Sequence, residues 1–314
     1  MNMKSRMLTL CIAGLLGQAG CGAFESEATG AEEALAESSQ AIRGNVVSFN
    51  GAASSDLLWR EQSTGNMGVW FLNGPVLSGT AALAAISPSL MVQAASDFGG
   101  PTADPDLVYH STTAATGETV RFADSTPALL GMTSISPVLP SSAWYVAASG
   151  DFNLDGRTDL VVHNRLTGQY FYRYMNGVSS LGNSPTLSRP LPWHIVGAAD
   201  MNGDGRTDLL WRNKSTGQNE IALMNNTAVL GSVALPVLSL AFYAGATADY
   251  TGDGRVDIVW HNPGSGQVLL WWMNGTSLSS TSTMGVMGTG CPAWFSQATP
   301  PPSVYGCWYL VGPR

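Results

Sequence analysis

Short apolar runs recur along the chain, each opened by an aspartate and closed by an arginine or a histidine. The opening residues are Asp56, Asp106, Asp159, Asp208 and Asp257. Three apolar or aromatic residues follow each of them, and the closing residues are Arg60, His110, His163, Arg212 and His261. Apolar runs of this length, bounded by turn-forming residues, predict buried β-strands rather than helices.

Other strand and turn signals accompany each run. A turn ending in Thr-Gly or Ser-Gly follows it, at Gly65, Gly117, Gly168, Gly217 and Gly266. In four units, a large apolar residue lies seven residues before the aspartate that begins the loop leading into the run. These residues are Leu90, Trp144, Trp193 and Phe242. Each unit therefore predicts about four strands in roughly 50 residues, which is the size of a propeller blade.

The C-terminal segment matches a strand that the first unit lacks. The sequence beginning at Trp308 is similar to the segments beginning at Trp144 and Trp193. Because one blade cannot bury both of its faces, the units must stack into a ring. We predict an all-β fold over residues 45–314, a five-bladed β-propeller of about 50-residue four-stranded blades, closed by the C-terminal strand completing the first blade.

Three nine-residue segments, which we call the Asp loops, carry oxygen atoms at fixed positions: 151–159, 200–208 and 249–257. Side-chain oxygens at positions one, three, five and nine, with the main-chain carbonyl of position seven, form a ligand set that suits Ca²⁺. The predicted ligands are Asp151, Asn153, Asp155, Arg157, Asp159, Asp200, Asn202, Asp204, Arg206, Asp208, Asp249, Thr251, Asp253, Arg255 and Asp257. The alternative is that these Asp, Asn and Gly residues only form turns.

These motifs resemble the FG-GAP/VCBS repeat family of integrin-type propellers and exported bacterial proteins. The resemblance is most specific in the segment 200–213. It implies a calcium-bearing β-propeller, but members of the family include adhesion modules, lectins and accessory domains of enzymes, so it fixes no activity. The first two units depart from the pattern: Ser48, Asn50 and Ala52 predict no calcium in the first, and an extra residue before Asp106 leaves the second open.

The N-terminus predicts export. Lys4 and Arg6 precede an apolar run, so residues 1–20 are interpreted as a signal peptide that is too short to span a membrane. Cys21 follows a segment similar to a lipoprotein cleavage site, although Gln18 stands where Leu is usual, and ordinary secretory cleavage is the alternative. The acidic segment 21–44 is interpreted as a flexible tether. We expect an outer-membrane lipoprotein or a secreted or periplasmic protein.

Two further cysteines, Cys291 and Cys307, stand close to the closing strand. In an exported protein, the simplest interpretation is a disulfide between them, with two free thiols as the alternative.

Composition and motifs favour a binding role over catalysis. The net charge is −8 and no cluster of Lys and Arg is present, which argues against a nucleic-acid surface. No motif of a hydrolase elbow, a zinc protease or a phosphate-binding loop occurs, and we interpret the repeated Arg/His position as structural. Trp271 and Trp272 are weak candidates for contact with sugar rings, with packing between blades as the alternative.

The sequence therefore predicts an exported, monomeric, non-enzymatic β-propeller with Ca²⁺ as a structural ion. Its predicted role is a binding or adhesion module for a glycan or a surface macromolecule. The alternatives are an accessory or catalytic domain of a polysaccharide-active enzyme and a structural module of an envelope complex.

Overall fold

The structure is a computed structural model that describes residues 47–52, 54–61, 64–99, 105–111, 118–123, 129–141, 143–286 and 308–310. All of them belong to the compact unit Ala41–Arg314. None of the described residues lies in a helix long and apolar enough to cross a membrane. The predicted signal peptide at 1–20, the tether at 21–44, Cys21, Cys291 and Cys307 lie outside the described residues.

The described elements are strands: β1 (Leu57–Glu61), β2 (Met67–Asn73), β3 (Val76–Leu83), β4 (Leu90–Ser96), β5 (Asp106–Ser111), β6 (Glu118–Ala123), β7 (Leu129–Ser134), β8 (Trp144–Gly150), β9 (Asp159–Asn164), β10 (Gln169–Asn176), β11 (Ser179–Asn183), β12 (Leu187–Ser188), β13 (Trp193–Ala199), β14 (Asp208–Asn213), β15 (Asn219–Asn225), β16 (Ala228–Leu235), β17 (Tyr243–Ala248), β18 (Asp257–Asn262), β19 (Gln267–Asn274), β20 (Ser277–Val286) and β21 (Trp308–Leu310). The repeated apolar runs form β1, β5, β9, β14 and β18, as predicted.

The strands form antiparallel sheets whose order follows the chain, with the first sheet as the exception. The sheets have the orders β21-β1-β2-β3, β4-β5-β6-β7, β8-β9-β10-β11, β13-β14-β15-β16 and β17-β18-β19-β20, and β12 also pairs with β10. The predicted five-bladed β-propeller of four-stranded blades is therefore wrong. Among the described residues, four blades have four strands, and the sheet of residues 144–188 has five.

A proline explains the extra strand. β11 and β12 both pair with β10, and the chain between them passes through Ser184 and Pro185. Ser184 keeps contact with β10, because its N–H donates to the carbonyl of Tyr172 at 2.8 Å and its Oγ accepts the N–H of Tyr172 at 3.0 Å. Pro185 has no N–H to continue the ladder, so the outer strand is split into two short pieces.

The hydrophobic core lies between neighbouring sheets. Each buried cluster takes side chains from two sheets, pairing Leu58 with Tyr109, Val108 with Leu160, Val161 with Leu209, Leu210 with Ile258, and Val259 with Leu57. Consecutive residues of one strand point to opposite faces, so each second strand contributes to two clusters. This is why β9 and β14 are buried along their whole length and why the three residues after the aspartate are apolar without alternation.

The ring is closed by the C-terminal strand. β21 pairs antiparallel with β1, with Trp59 opposite Leu310 and Glu61 opposite Trp308. The cluster that contains Leu57 and Val259 joins the first sheet to the last one. The predicted pairing of the Trp308 strand with the first unit is therefore confirmed.

Candidate functional site: the Asp loops

Each Asp loop connects the first strand of a sheet to the second strand, so all three lie at the same end of their sheets. Loop 200–208 follows β13 and leads into β14, and the other two occupy the equivalent positions. The residues at positions three to seven of these loops are half-buried or exposed, whereas the residues at positions two and nine are buried. The loops therefore present a polar outer surface on a buried base.

The aspartate at position one organises the turn. In loop 200–208, Asp200 Oδ1 accepts the N–H groups of Gly203 and Asp204 at 2.8 and 3.0 Å, and its Oδ2 accepts the N–H of Gly205 at 2.8 Å. Gly203 and Gly205 have φ values of 77° and 81°, which glycine adopts without steric cost. Asp151 and Asp249 accept the corresponding N–H groups of their own loops.

The side chains at positions three and five also contact the loop backbone. Asn202 Oδ1 accepts the N–H of Asp204 at 2.9 Å, and Asp204 Oδ1 accepts the N–H of Arg206 at 2.9 Å. The guanidinium of Arg206 lies 3.3 Å from Asp204 Oδ2, and equivalent pairs occur at Arg157 and Arg255. Each loop is thus folded around its own carboxylates.

The aspartate at position nine has a structural role that the repeat pattern did not predict. Asp208 is fully buried, its Oδ2 accepts the N–H of Met201 at 3.2 Å, and its Oδ1 accepts the N–H of Met224 at 2.9 Å. It therefore ties the loop to β15, the third strand of the same sheet. Asp159 and Asp257 make the same pair of bonds, and so does Asp56 in the first unit.

Burial raises the pKa of Asp208 to about 6, although the two N–H donors oppose the shift. Burial likewise raises the pKa of Asp159 to about 7, and the charges of Asp155 and Asp151 add to the increase. The carboxylates of one loop are thus close enough to repel one another. A cation among them would relieve this repulsion.

The Asp loops fit Ca²⁺ in the chemistry of their ligand atoms. Each Asp loop offers only oxygen donors, as a hard cation requires, and a carboxylate oxygen that accepts one hydrogen bond keeps a further lone pair. In the part of the chain that the structure describes, no three His, Cys, Asp or Glu side chains are gathered closely enough to hold a metal ion. The side-chain oxygens of positions one, three and five are turned instead towards N–H groups of their own loop, and position nine also binds an N–H of the third strand.

The first unit keeps this turn without acidic ligands. Ser48 Oγ accepts the N–H of Ala52 and donates to Asn50 Oδ1, both at 2.9 Å. In the second unit, Asp97 Oδ1 accepts the N–H of Gly99 at 2.6 Å, and residues 100–104 lie outside the described part. A neutral version of the loop is therefore compatible with the fold.

The repeated Arg/His position makes contacts between sheets. The ring of His163 packs edge-on against Trp211 of the next sheet at 6.0 Å, and the guanidinium of Arg212 lies 5.1 Å from the ring of Trp260. The last contact of this kind joins His261 to Trp59 of the first sheet at 5.2 Å. These geometries fit the structural interpretation of the position.

The two candidate sugar-contact residues differ in burial. Trp271 is 2% exposed and packs against Trp260 at 5.0 Å, so it belongs to the core. Trp272, on the opposite face of β19, is half-buried, and its indole N–H donates to Ser282 Oγ at 2.8 Å. Only Trp272 of this pair retains accessible ring surface.

The closed ring of antiparallel sheets defines the protein as a β-propeller. Residues 151–211 and 200–260 match the model of the FG-GAP-like repeat, which confirms the family resemblance over this span. The matched residues contain all three Asp loops. An FG-GAP β-propeller is a fold typical of binding and adhesion modules, and the match itself identifies no ligand.

Similar solved structures share little sequence with this chain. A protein of unknown function from Bacteroides caccae is 10% identical, with 72% of each chain covered and a TM-score of 0.36. BBS1N in complex with ARL6DN, soaked with lead, is 13% identical, with 79% of this chain and 85% of that chain covered and a TM-score of 0.35. No functionally curated protein matches the chain.

Proposed function

We propose that the protein is a calcium-binding propeller that acts as a binding or adhesion module for a glycan or another surface macromolecule. One observation carries the proposal: the FG-GAP-like repeats coincide with three loops that hold oxygen donors at one end of the ring. The proposed role is non-catalytic. It is supported by the packing of His163 and His261 against aromatic rings of neighbouring sheets, as expected of imidazoles with a structural role.

Ca²⁺ would be held by side-chain oxygens of positions one, three, five and nine and by the carbonyl of position seven. Each Asp loop carries three aspartates and one arginine, so a divalent cation balances its formal charge. The ion would supply electrostatic cross-linking of the loop. The residues themselves set the turn, because the carboxylate of position one binds the loop N–H groups.

The expected location is part of the same proposal. The N-terminal pattern supports export, with Cys21 as the candidate lipid anchor and Cys291 and Cys307 as a candidate disulfide. A monomer held at a cell surface by residues 21–44 would present its loop surface to glycans or surface proteins.

A glycan array tests the binding role. The full chain is applied with millimolar Ca²⁺ or with EDTA, beside the variants Trp272→Ala and Trp272→Phe. The proposal predicts calcium-dependent binding that Trp272→Ala weakens and Trp272→Phe preserves, since the phenyl ring keeps a face for sugar packing. Absence of any glycan signal, together with absence of binding to intact bacterial or host cell surfaces, would overturn it.

A further inference from the structure

Hydrogen bonds link Asp loops that belong to neighbouring sheets. The hydroxyl of Thr207, at position eight of loop 200–208, donates to the main-chain carbonyl of Asp151 at 2.9 Å. Thr158, at position eight of loop 151–159, donates in the same way to the carbonyl of Asp97. The accepting residue is in each case position one of the loop in the preceding sheet. In both cases, the hydroxyl at position eight therefore connects its loop to the aspartate at position one of the loop in the preceding sheet.

The contact at Thr207 is closely packed. A Cβ atom placed on Gly150, which directly precedes Asp151, would lie 2.6 Å from Thr207 Cγ2. Such a separation is far below an ordinary van der Waals contact, so the glycine is required for the threonine to approach. The hydroxyl of Thr207 thus binds the carbonyl of Asp151, and its methyl group packs closely against Gly150. Both groups contact the start of loop 151–159.

The next junction lacks this link. Position eight of loop 249–257 is Val256, which is buried and has no hydroxyl, and the residue equivalent to Gly150 is Ala199. The sheets at this junction are bonded elsewhere, since Thr247 Oγ1 donates to the carbonyl of Ala198 at 3.2 Å. Loop 200–208 is therefore adjoined by a contact between β17 and β13, and position eight of loop 249–257 has no hydroxyl that could bond to Asp200.

We infer that Thr207 is a positioning residue that couples loop 200–208 to the cation affinity of loop 151–159, whereas loop 249–257 exerts no equivalent control on loop 200–208. The inference rests on the proposed calcium binding. Its physical basis is that the peptide of Asp151 carries the carboxylate that binds Leu154, Asp155 and Gly156. A hydrogen bond that fixes this peptide also fixes the direction of the carboxylate, and coupling of this kind is reciprocal.

Calcium titration of single-site proteins tests the coupling. Asp204→Asn and Asp253→Asn together leave loop 151–159 as the intact site, and Thr207→Val is then added. We expect a loss of affinity of about fivefold, which corresponds to the net contribution of one hydrogen bond. The matched control places Thr207→Val in a protein that retains only loop 249–257, made with Asp155→Asn and Asp204→Asn. Its affinity should stay the same.

The reverse substitution provides a gain-of-function arm. Val256→Thr combined with Ala199→Gly, in a protein that retains only loop 200–208, should raise the affinity of that loop, because the two changes together supply the hydroxyl and the close approach found at Thr207 and Gly150. Valine and threonine have nearly the same shape, and an unchanged urea midpoint would show that the fold is intact.

Amide hydrogen exchange in EDTA gives a readout that does not require the cation. Thr207→Val should speed exchange at Leu154, Asp155 and Gly156 and leave the amides of loop 249–257 unchanged. If the wild-type protein binds calcium and Thr207→Val changes neither affinity nor exchange, the coupling is refuted while the proposed function stands. If wild type binds no calcium, the proposed function fails, and unchanged exchange in Thr207→Val would refute the coupling as well.

Discussion

Replacing Asp56 by alanine tests the buried aspartate that ties each loop to its sheet. Asp56 is fully buried, accepts the N–H of Phe49 at 2.7 Å, and accepts the N–H of Leu72 at 2.9 Å. It lies in the unit whose loop lacks the acidic ligands, so its contribution can be measured apart from any cation. The alanine variant removes the acceptor of both buried donors.

The expected loss follows from this geometry. A buried donor left without an acceptor costs about 1–3 kcal/mol, so two of them predict a loss of about 2–6 kcal/mol. This is a large part of the total stability of about 5–15 kcal/mol that is usual for a folded protein. Asp56→Asn keeps one acceptor oxygen and should lose about half as much, roughly 1–3 kcal/mol.

Urea unfolding in EDTA and in millimolar Ca²⁺ measures both variants against wild type. The loss should be the same in the two buffers, since no cation is expected beside Asp56. Asp204→Asn is the control: the residue lies on the exposed part of its loop, so in EDTA the change should alter stability by less than about 0.5 kcal/mol. A loss below about 1 kcal/mol in Asp56→Ala would refute the proposed role of the buried carboxylate.

Three further predictions concern other parts of the ring. Burial, with a smaller effect from the charge of Lys214, lowers the pKa of His163 from an ordinary 6.5 to about 4. Between these two pH values the unfolded chain binds more protons than the folded chain, so the free energy of unfolding should fall as the pH drops from 6.5 to about 4. His163→Gln should remove up to about 1.4 kcal/mol per pH unit from that slope, and an unchanged slope in urea titrations would contradict the assignment. Deletion of residues 308–314 exposes the edge of β1 and should cause aggregation and a lower melting temperature, and a variant that stays monomeric and equally stable would argue against ring closure. Gly217→Ala should lose more than about 1 kcal/mol in urea unfolding, because its Cβ would lie 2.2 Å from the carbonyl oxygen of Leu238, and equal stability would show that this turn can shift.

The repeat was the most informative part of the sequence. Its nearly regular spacing predicted the position of each buried strand, and the match between the segments at Trp308 and Trp144 predicted the closing strand. These features are local patterns repeated along the chain, so they can be recognised without knowledge of the contacts. The split outer strand was missed, although Pro185 was a visible signal, because the other units suggested an uninterrupted strand.

Contacts between units could not be predicted in the same way. The packing of Arg212 on Trp260 and the bond from Thr207 to Asp151 join residues of different sheets. Nothing in the local pattern shows which side chains will meet across a junction. The role of Asp56 could have been inferred, since an aspartate retained at position nine of a loop without other acids must serve something besides cation binding.

Calorimetric titration of the decalcified full chain with Ca²⁺ tests the central claim most directly. We expect one site for each Asp loop, with dissociation constants of about 10⁻⁴–10⁻³ M, the range found in extracellular calcium modules. Asp151→Asn, Asp200→Asn and Asp249→Asn should each remove or strongly weaken one site. A titration without binding heat, together with a melting temperature that is the same in EDTA and in Ca²⁺, would contradict the account.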